Sequence, residues 1–208
     1  IDEAIMVSRR EWMNRHVKDP YVKQAQIDGY RSRAVYKLLE INEKERLFKP
    51  GMGVIDLGAA PGSWTEWAQK QVGRKGFVVA LDCLSMDPIP NVQFIQGDFR
   101  EQSILDELHG VIAGRSVDLV ISDMAPNMSG QKSVDQPRSI YLAELSLDLA
   151  QQVLVPGGCL LMKVFQGAGI EALAQSLRSY FVQVKHIKPK ASRAASKEVY
   201  LLAKSFKG

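Results

Sequence analysis

Five charged residues stand at or inside short apolar runs, where a charge is costly unless it has work to do. The first, Asp56, opens the stretch Asp56-Leu57-Gly58-Ala59-Ala60-Pro61-Gly62-Ser63-Trp64, which overlaps the apolar run Val54–Leu57. Gly58 and Gly62 flank a tight strand-to-helix turn, and such a turn lets a ligand approach backbone N–H groups. The spacing differs from the dinucleotide pattern G-x-G-x-x-G: the glycines are four apart, and Pro61 removes an N–H that a pyrophosphate cradle would use. Asp82 ends the second apolar run, 26 residues after Asp56. A carboxylate there can accept hydrogen bonds from both hydroxyls of a ribose. Asp98, behind Gly97, is a further acid at the same edge and could accept from an adenine amino group. Asp123 ends the fourth run and opens the loop Met124–Gly130. Taken singly, any of these acids could be a helix N-cap.

In series, the acids and the glycine turn fit a nucleoside ligand that lacks phosphates, because a phosphate would be repelled. That chemistry points to S-adenosylmethionine, cationic at sulfur and amine, and away from a nicotinamide dinucleotide. The fifth residue, Lys163, interrupts Leu160-Leu161-Met162 and Val164-Phe165. An ammonium in a central strand needs a partner, and buried, partnered lysines suit acid–base work. The plainer alternative is a lysine snorkelling from a strand end. Lys37 points away from the Val35, Leu38, Leu39 stripe on a helical wheel and reads as a solvated residue; Glu198, opening the last apolar run, reads the same way.

Strands are expected at Val54–Leu57, Phe77–Leu81, Val92–Ile95, Val117–Ser122, Cys159–Phe165, Val182–Ile187 and Val199–Ala203. Helical stretches are expected near 63–72, 101–113, 137–154 and 170–180, with Pro156-Gly157-Gly158 separating the third of these from the next strand. Residues 8–48 read as helical, with Ser8 as an N-cap, Asp28-Gly29 as a stop and Ser32 as a new start. Near-continuous apolar strands alternating with helices imply a parallel α/β sheet covered on both faces. The short link Lys188–Glu198 makes the last two strands an antiparallel hairpin. Ligands of such sheets bind beyond the carboxyl ends of the strands. The expected organisation is one compact unit, with a helical extension at 1–50 and the sheet domain at 51–208.

The 208 residues are 46% apolar and 24% charged, enough for one sizeable core and unlike a disordered chain, a collagen or a coiled coil. No apolar run is long enough to span a bilayer, and Ile1–Arg10 lacks the apolar stretch of a secretory leader. Cys83 and Cys159 lie far apart without metal-ligand spacing, as do the three histidines, so no metal is expected and the cytoplasm is the expected compartment. Nothing suggests a partner surface, so a monomer is expected. Net charge is +4, divided as +3 over 1–49, +6 over 185–208 and −5 between them. A polyanion is drawn to such ends and repelled by such a centre.

Together the motifs resemble those of the FtsJ-type ribosomal RNA 2′-O-ribose methyltransferases of bacteria, over nearly the whole length. The resemblance is carried by Arg31-Ser32-Arg33-Ala34 before Lys37, by Asp56–Gly62, and by Ser122-Asp123-Met124-Ala125-Pro126-Asn127. It continues through Lys163-Val164-Phe165-Gln166-Gly167 to Ser192-Arg193, Ser196 and Glu198-Val199-Tyr200. Ser63 departs from it, since the family often has a second glycine before the tryptophan. The resemblance implies a Rossmann-like methyltransferase fold with S-adenosylmethionine as donor and S-adenosylhomocysteine as product. It implies a catalytic Lys–Asp–Lys–Glu tetrad at Lys37, Asp123, Lys163 and Glu198, which reverses the solvated reading of Lys37 and Glu198. Gly58, Gly62, Trp64, Asp82, Asp98 and Asp123 are the expected cofactor residues. The implied substrate is a uridine 2′-hydroxyl in the A loop of large-subunit (23S) rRNA, on the assembled 50S subunit. The basic ends add Arg31, Arg33, Lys188, Lys190 and Arg193 as expected RNA contacts. A nicotinamide-dependent oxidoreductase would share the sheet but not the glycine turn. A catalytically dead ribosome-docking protein would have no use for all four tetrad residues. Methylation of another RNA, a tRNA anticodon loop or a capped mRNA, stays open on sequence alone.

Overall fold

The computed structural model describes residues 19–193 and 196–208. The expected cap at Ser8 lies outside them. The N-terminal part holds helices α1 (Pro20–Asp28) and α2 (Val35–Glu45). Helix α1 starts on a strong signal, Asp19 as N-cap and Pro20 in the first turn, and stops at Gly29. The rest alternates β1 (Gly53–Leu57), α3 (Ser63–Val72), β2 (Phe77–Asp82), β3 (Val92–Gln96), α4 (Gln102–Ile112), β4 (Val117–Ser122), α5 (Lys132–Val153), β5 (Leu154–Phe165), α6 (Ile170–Tyr180), β6 (Phe181–Ile187) and β7 (Glu198–Phe206).

The seven strands form one sheet in the order β3-β2-β1-β4-β5-β7-β6. The pairs from β3 to β5 are parallel, as their aliphatic runs imply. The expected terminal hairpin is present, and β7 is inserted between β5 and β6, antiparallel to both. Its direction matters for the site. An antiparallel β7 begins where parallel β5 ends, so Glu198 pairs with Phe165 and Tyr200 with Lys163 at the ligand-binding edge.

Alternating side chains on each strand feed two cores. One face carries Ile55, Leu57, Val120 and Leu160 against α4, α5 and α6. The other carries Val54, Leu119, Leu161 and Leu202 against Val35, Leu38 and Ile41 of α2 and Trp64 and Trp67 of α3. The N-terminal helix α2 is therefore built into the same core as the sheet.

Two boundaries differ from expectation. Helix α5 begins at Lys132, ahead of Pro137, because the buried Asp135 carboxylate fastens the preceding turn through Ser129 N, Ser129 Oγ and Gly130 N. Pro156-Gly157-Gly158 lies inside β5. The register shifts between Val117↔Leu154 and Leu119↔Cys159, so the extra residues are taken up as a bulge and the strand is not ended.

Candidate active site

The turn after β1 is built around Gly58, whose φ of +73° suits glycine. A Cβ there would lie 2.5 Å from Met124 Cγ, so the position admits no side chain. The turn's N–H groups are all satisfied within the protein, contrary to the expectation that they face a ligand. Gly58 and Ala59 donate to the Leu81 carbonyl, Gly62 to that of Ala59, and Ala60 to Asp82 Oδ2. With Pro61 lacking an N–H, the turn holds no free donor for a phosphate, which sharpens the preference for a phosphate-free ligand.

Beside the turn lies a cavity of about 710 Å3, lined among others by Gly58, Asp82, Asp98, Asp123 and Tyr141. Asp82 accepts from Ala60 N and, through Oδ1, from Leu84 N at 2.8 Å, so it fastens two loops as well as facing the cavity. Asp98 is gripped by the Arg100 guanidinium, whose hydrogen bonds hold its carboxyl below the usual carboxylate range. Asp56 lies beneath, 1% exposed, with Oδ2 bound to Thr65 Oγ1 at 2.6 Å and Oδ1 without a hydrogen-bond partner. Burial pushes its carboxyl up to about 7; the Thr65 bond opposes this, and the charges of Asp123 and Asp82 add to it.

Two expected cofactor residues do not turn a side chain toward the cavity. Trp64 is turned into the core, 3% exposed, and its Nε1 donates to the Ala34 carbonyl at 2.8 Å. A large ring in the first turn of α3 faces α2, so Trp64 supports the helix that carries Lys37. Gly62 caps α3 and touches the loop after β2, where a Cβ would meet Ile89 and Met86 at 2.9 Å; it shapes the turn without lining the cavity. Ser63 also points inward, with its hydroxyl 2.8 Å from Ser32 Oγ.

Asp123 joins the cavity to a cluster of four charges. Lys163 Nζ is 3.1 Å from Asp123 Oδ1 and also donates to the Asp123 carbonyl. Lys37 Nζ lies 4.0 Å from Asp123 Oδ2 and 2.8 Å from Glu198 Oε1. Ser192 Oγ holds the same Glu198 oxygen at 2.8 Å. The Lys163 and Lys37 side chains are 8% and 12% exposed. Burial pushes the Asp123 carboxyl up, but Lys163, Lys37 and the Tyr200 hydroxyl outweigh it and hold the group below its ordinary value. Two ammoniums against two carboxylates leave the cluster close to neutral. Tyr200, given no role from sequence, donates to Asp123 Oδ1 at 2.6 Å and is fully buried. Burial and the neighbouring carboxylates raise its phenol well above the ordinary value. Its signal was present: a tyrosine two residues from Glu198 in a core strand shares its face and needs a partner for its hydroxyl.

The expected RNA contacts divide. Arg31 is engaged within the protein, donating to the carbonyls of Pro61, Asp87 and Pro88 and lying 3.6 Å from Glu66. It braces the glycine turn against the loop after β2. Lys188 donates to the carbonyls of Ser196 and Glu198, which likewise holds it to the chain. Lys190 is exposed. Arg33 and Arg193 line a second cavity with Lys37 and Glu198. No cluster of three or more metal-ligating side chains occurs among the described residues, and none of their helices is long and apolar enough to cross a membrane.

Residues 30–206 match the FtsJ-like methyltransferase family. The chain belongs to that family. It is 55% identical over 206 residues to Ribosomal RNA large subunit methyltransferase E of Acinetobacter baylyi, covering 99% of this chain and 95% of the relative. The protein of the same name from Legionella pneumophila is 54% identical, covering 96% of this chain and 97% of the relative. A crystal structure of a ribosomal RNA methyltransferase from Plasmodium falciparum superposes with a TM-score of 0.78 at 32% identity, covering 86% of this chain and all of the other. Fibrillarin of Aeropyrum pernix, solved with natively bound S-adenosyl-L-methionine, shares the fold at a TM-score of 0.57 and 17% identity, covering 84% of this chain and 75% of its own. The methyltransferase sheet expected from the motifs is thus the fold of this FtsJ-like enzyme.

Proposed function

We propose that this protein transfers the methyl group of S-adenosylmethionine to a uridine 2′-hydroxyl in the A loop of 23S rRNA, on the assembled 50S subunit. It acts as a monomer in the cytoplasm, where ribosomal subunits are built. The observation that carries the reading is the double position of Asp123, which lines the nucleoside-sized cavity and is held by both lysines of the charged cluster. The names of its full-length relatives supply the substrate class.

The cavity suits this cofactor: Gly58 lines it with bare backbone, the turn offers no phosphate donors, and the carboxylates favour a cation. Asp82 accepts from the ribose hydroxyls, Asp98 from the adenine edge, and Asp123 faces the methionine end. When bound there, S-adenosylmethionine supplies a methyl on cationic sulfur and leaves as the neutral thioether. Lys163, once its ammonium has released a proton to solvent, accepts the 2′-hydroxyl proton while the oxygen forms its bond to the methyl carbon and the carbon–sulfur bond breaks. Asp123 stabilises the ammonium that results. Lys37 and Glu198 hold each other at the far side of Asp123 and orient the incoming ribose. Placing the hydroxyl in line with the methyl carbon contributes alongside proton transfer.

The test uses 50S subunits from a strain lacking the gene, incubated with the protein and methyl-labelled S-adenosylmethionine, followed by ribose-methylation mapping. One labelled 2′-O-methyluridine in the A loop is expected. Label on a base, or on tRNA in place of the subunit, would overturn the proposal.

A further inference from the structure

Two arginines from opposite ends of the chain close on one carboxylate. Arg33, between α1 and α2, and Arg193, in the loop between β6 and β7, both bind Asp19 Oδ2, Arg193 from 3.1 Å. Arg33 also donates to the Ala191 carbonyl. Asp19 is 7% exposed. Burial and the like charge of Arg193 lower the Arg33 guanidinium from its ordinary value, so the pair is crowded as well as enclosed. Both arginines line a cavity of about 370 Å3, with Ser32, Lys37, Ser196 and Glu198. That cavity therefore meets the charged cluster at Lys37 and Glu198, whereas the nucleoside cavity meets it at Asp123.

In RNA the carbon that bears the 2′-hydroxyl is bonded to the carbon that bears the 3′-phosphodiester. A hydroxyl presented to Lys163 brings a phosphate into the same neighbourhood. Guanidinium forks match phosphate oxygens as well as they match carboxylate oxygens. We infer that Arg33 and Arg193 form the seat of the phosphodiester next to the reacting ribose, and that Asp19 fills this seat in the free protein as an internal substitute for RNA. The inference rests on the RNA methyltransferase reading above. Entry of the phosphate displaces Asp19 from the arginines, so substrate binding loosens the start of α1 from the β6–β7 loop. The contact that closes the free enzyme thus also screens the seat against stray anions.

Asp19→Asn separates this from a plain structural clasp. Oδ1 alone takes the Tyr21 N–H, and asparagine caps helices as well as aspartate, so the variant keeps the cap and loses the competing charge. Its KM for 50S subunits should fall about five-fold, with the cofactor Kd unchanged. An equal or higher KM would show that the clasp only braces the fold. Should Asp19→Asn fail to fold, Arg193→Gln decides: KM should rise and the log–log salt slope of RNA binding flatten by about 0.7, whereas an unaltered slope overturns the seat. Uridine 3′-monophosphate should compete with RNA more strongly in Asp19→Asn than in the wild type; equal competition counts against the inference. If the wild type methylates no large-subunit RNA, the functional reading fails. An active wild type with unchanged variants sinks the phosphate seat alone.

Discussion

Lys163 sits inside a buried strand with its Nζ 3.1 Å from Asp123 Oδ1, so removing it leaves the reacting hydroxyl without its proton acceptor and the carboxylate without its nearest nitrogen partner. Lys163→Ala should slow methyl transfer by at least about 100-fold while the cofactor still binds. Single-turnover rates beside calorimetric binding would show this, and near-normal chemistry would remove Lys163 from the role of base. Asp82 has two functions in the structure. Asp82→Ala should weaken cofactor binding by about 1.5–3 kcal/mol and also lower the melting temperature, because Ala60 N and Leu84 N lose their acceptor. An unchanged Kd with a lowered melting temperature would leave Asp82 as a fastening only. Asp56 sets a pH dependence. Its folded-state value of about 7 stands above the ordinary 3.8, so the folded protein binds the proton more tightly than the unfolded chain. This contribution to stability is fully present below about pH 4 and is lost as pH rises through about 7. Asp56→Asn should therefore flatten the stability profile between those limits in denaturant titrations at several pH values. A profile as steep as that of the wild type would place the titration elsewhere.

At the scale of elements, the glycine turn, the loop after β2 and the start of α3 are tied together by Arg31. Three carbonyl acceptors and Glu66 converge on its guanidinium. Arg31→Ala should loosen the wall of the cofactor cavity and raise the cofactor Kd, while the salt slope of RNA binding stays as in the wild type. A flattened slope with unchanged cofactor affinity would instead return Arg31 to the RNA. The basic character of the 31–33 segment was legible in the sequence, but not the division of labour within it. Composition records charge, whereas the partner of each charge depends on chain segments 14 to 158 residues away.

Over the whole sequence, basic ends flank an acidic centre, and the fold brings Lys37 and Arg33 from the first end against Glu198 and the Arg193 loop from the second. RNA and cofactor should accordingly answer to salt differently. If Arg33, Arg193 and Lys190 each hold one phosphate, a four-fold rise in salt should weaken RNA binding by about 20-fold, with a much smaller change in cofactor affinity. Filter binding for RNA and calorimetry for the cofactor, over the same salt series, would test this. Parallel salt dependence of the two ligands would contradict it.

The acids at the strand ends, the glycine turn, the buried lysine and the order of strands and helices were all decided by local pattern. Apolar period sets where a strand runs, and a charge that ends the run lands at the sheet edge. Lys37 and Glu198 could not be placed in that way. Their contact spans 161 residues, and it exists because the Val35, Leu38, Ile41 face of α2 packs on the same sheet face that presents Glu198 and Tyr200. A helical wheel sees only the helix's own stripe, so a lysine beside that stripe looks solvated until the sheet's charged edge is set against it. The inward turn of Trp64, the bracing by Arg31 and the clasp on Asp19 have the same origin. Each depends on which distant carbonyl or carboxylate the packed core delivers, and only the tertiary structure decides that.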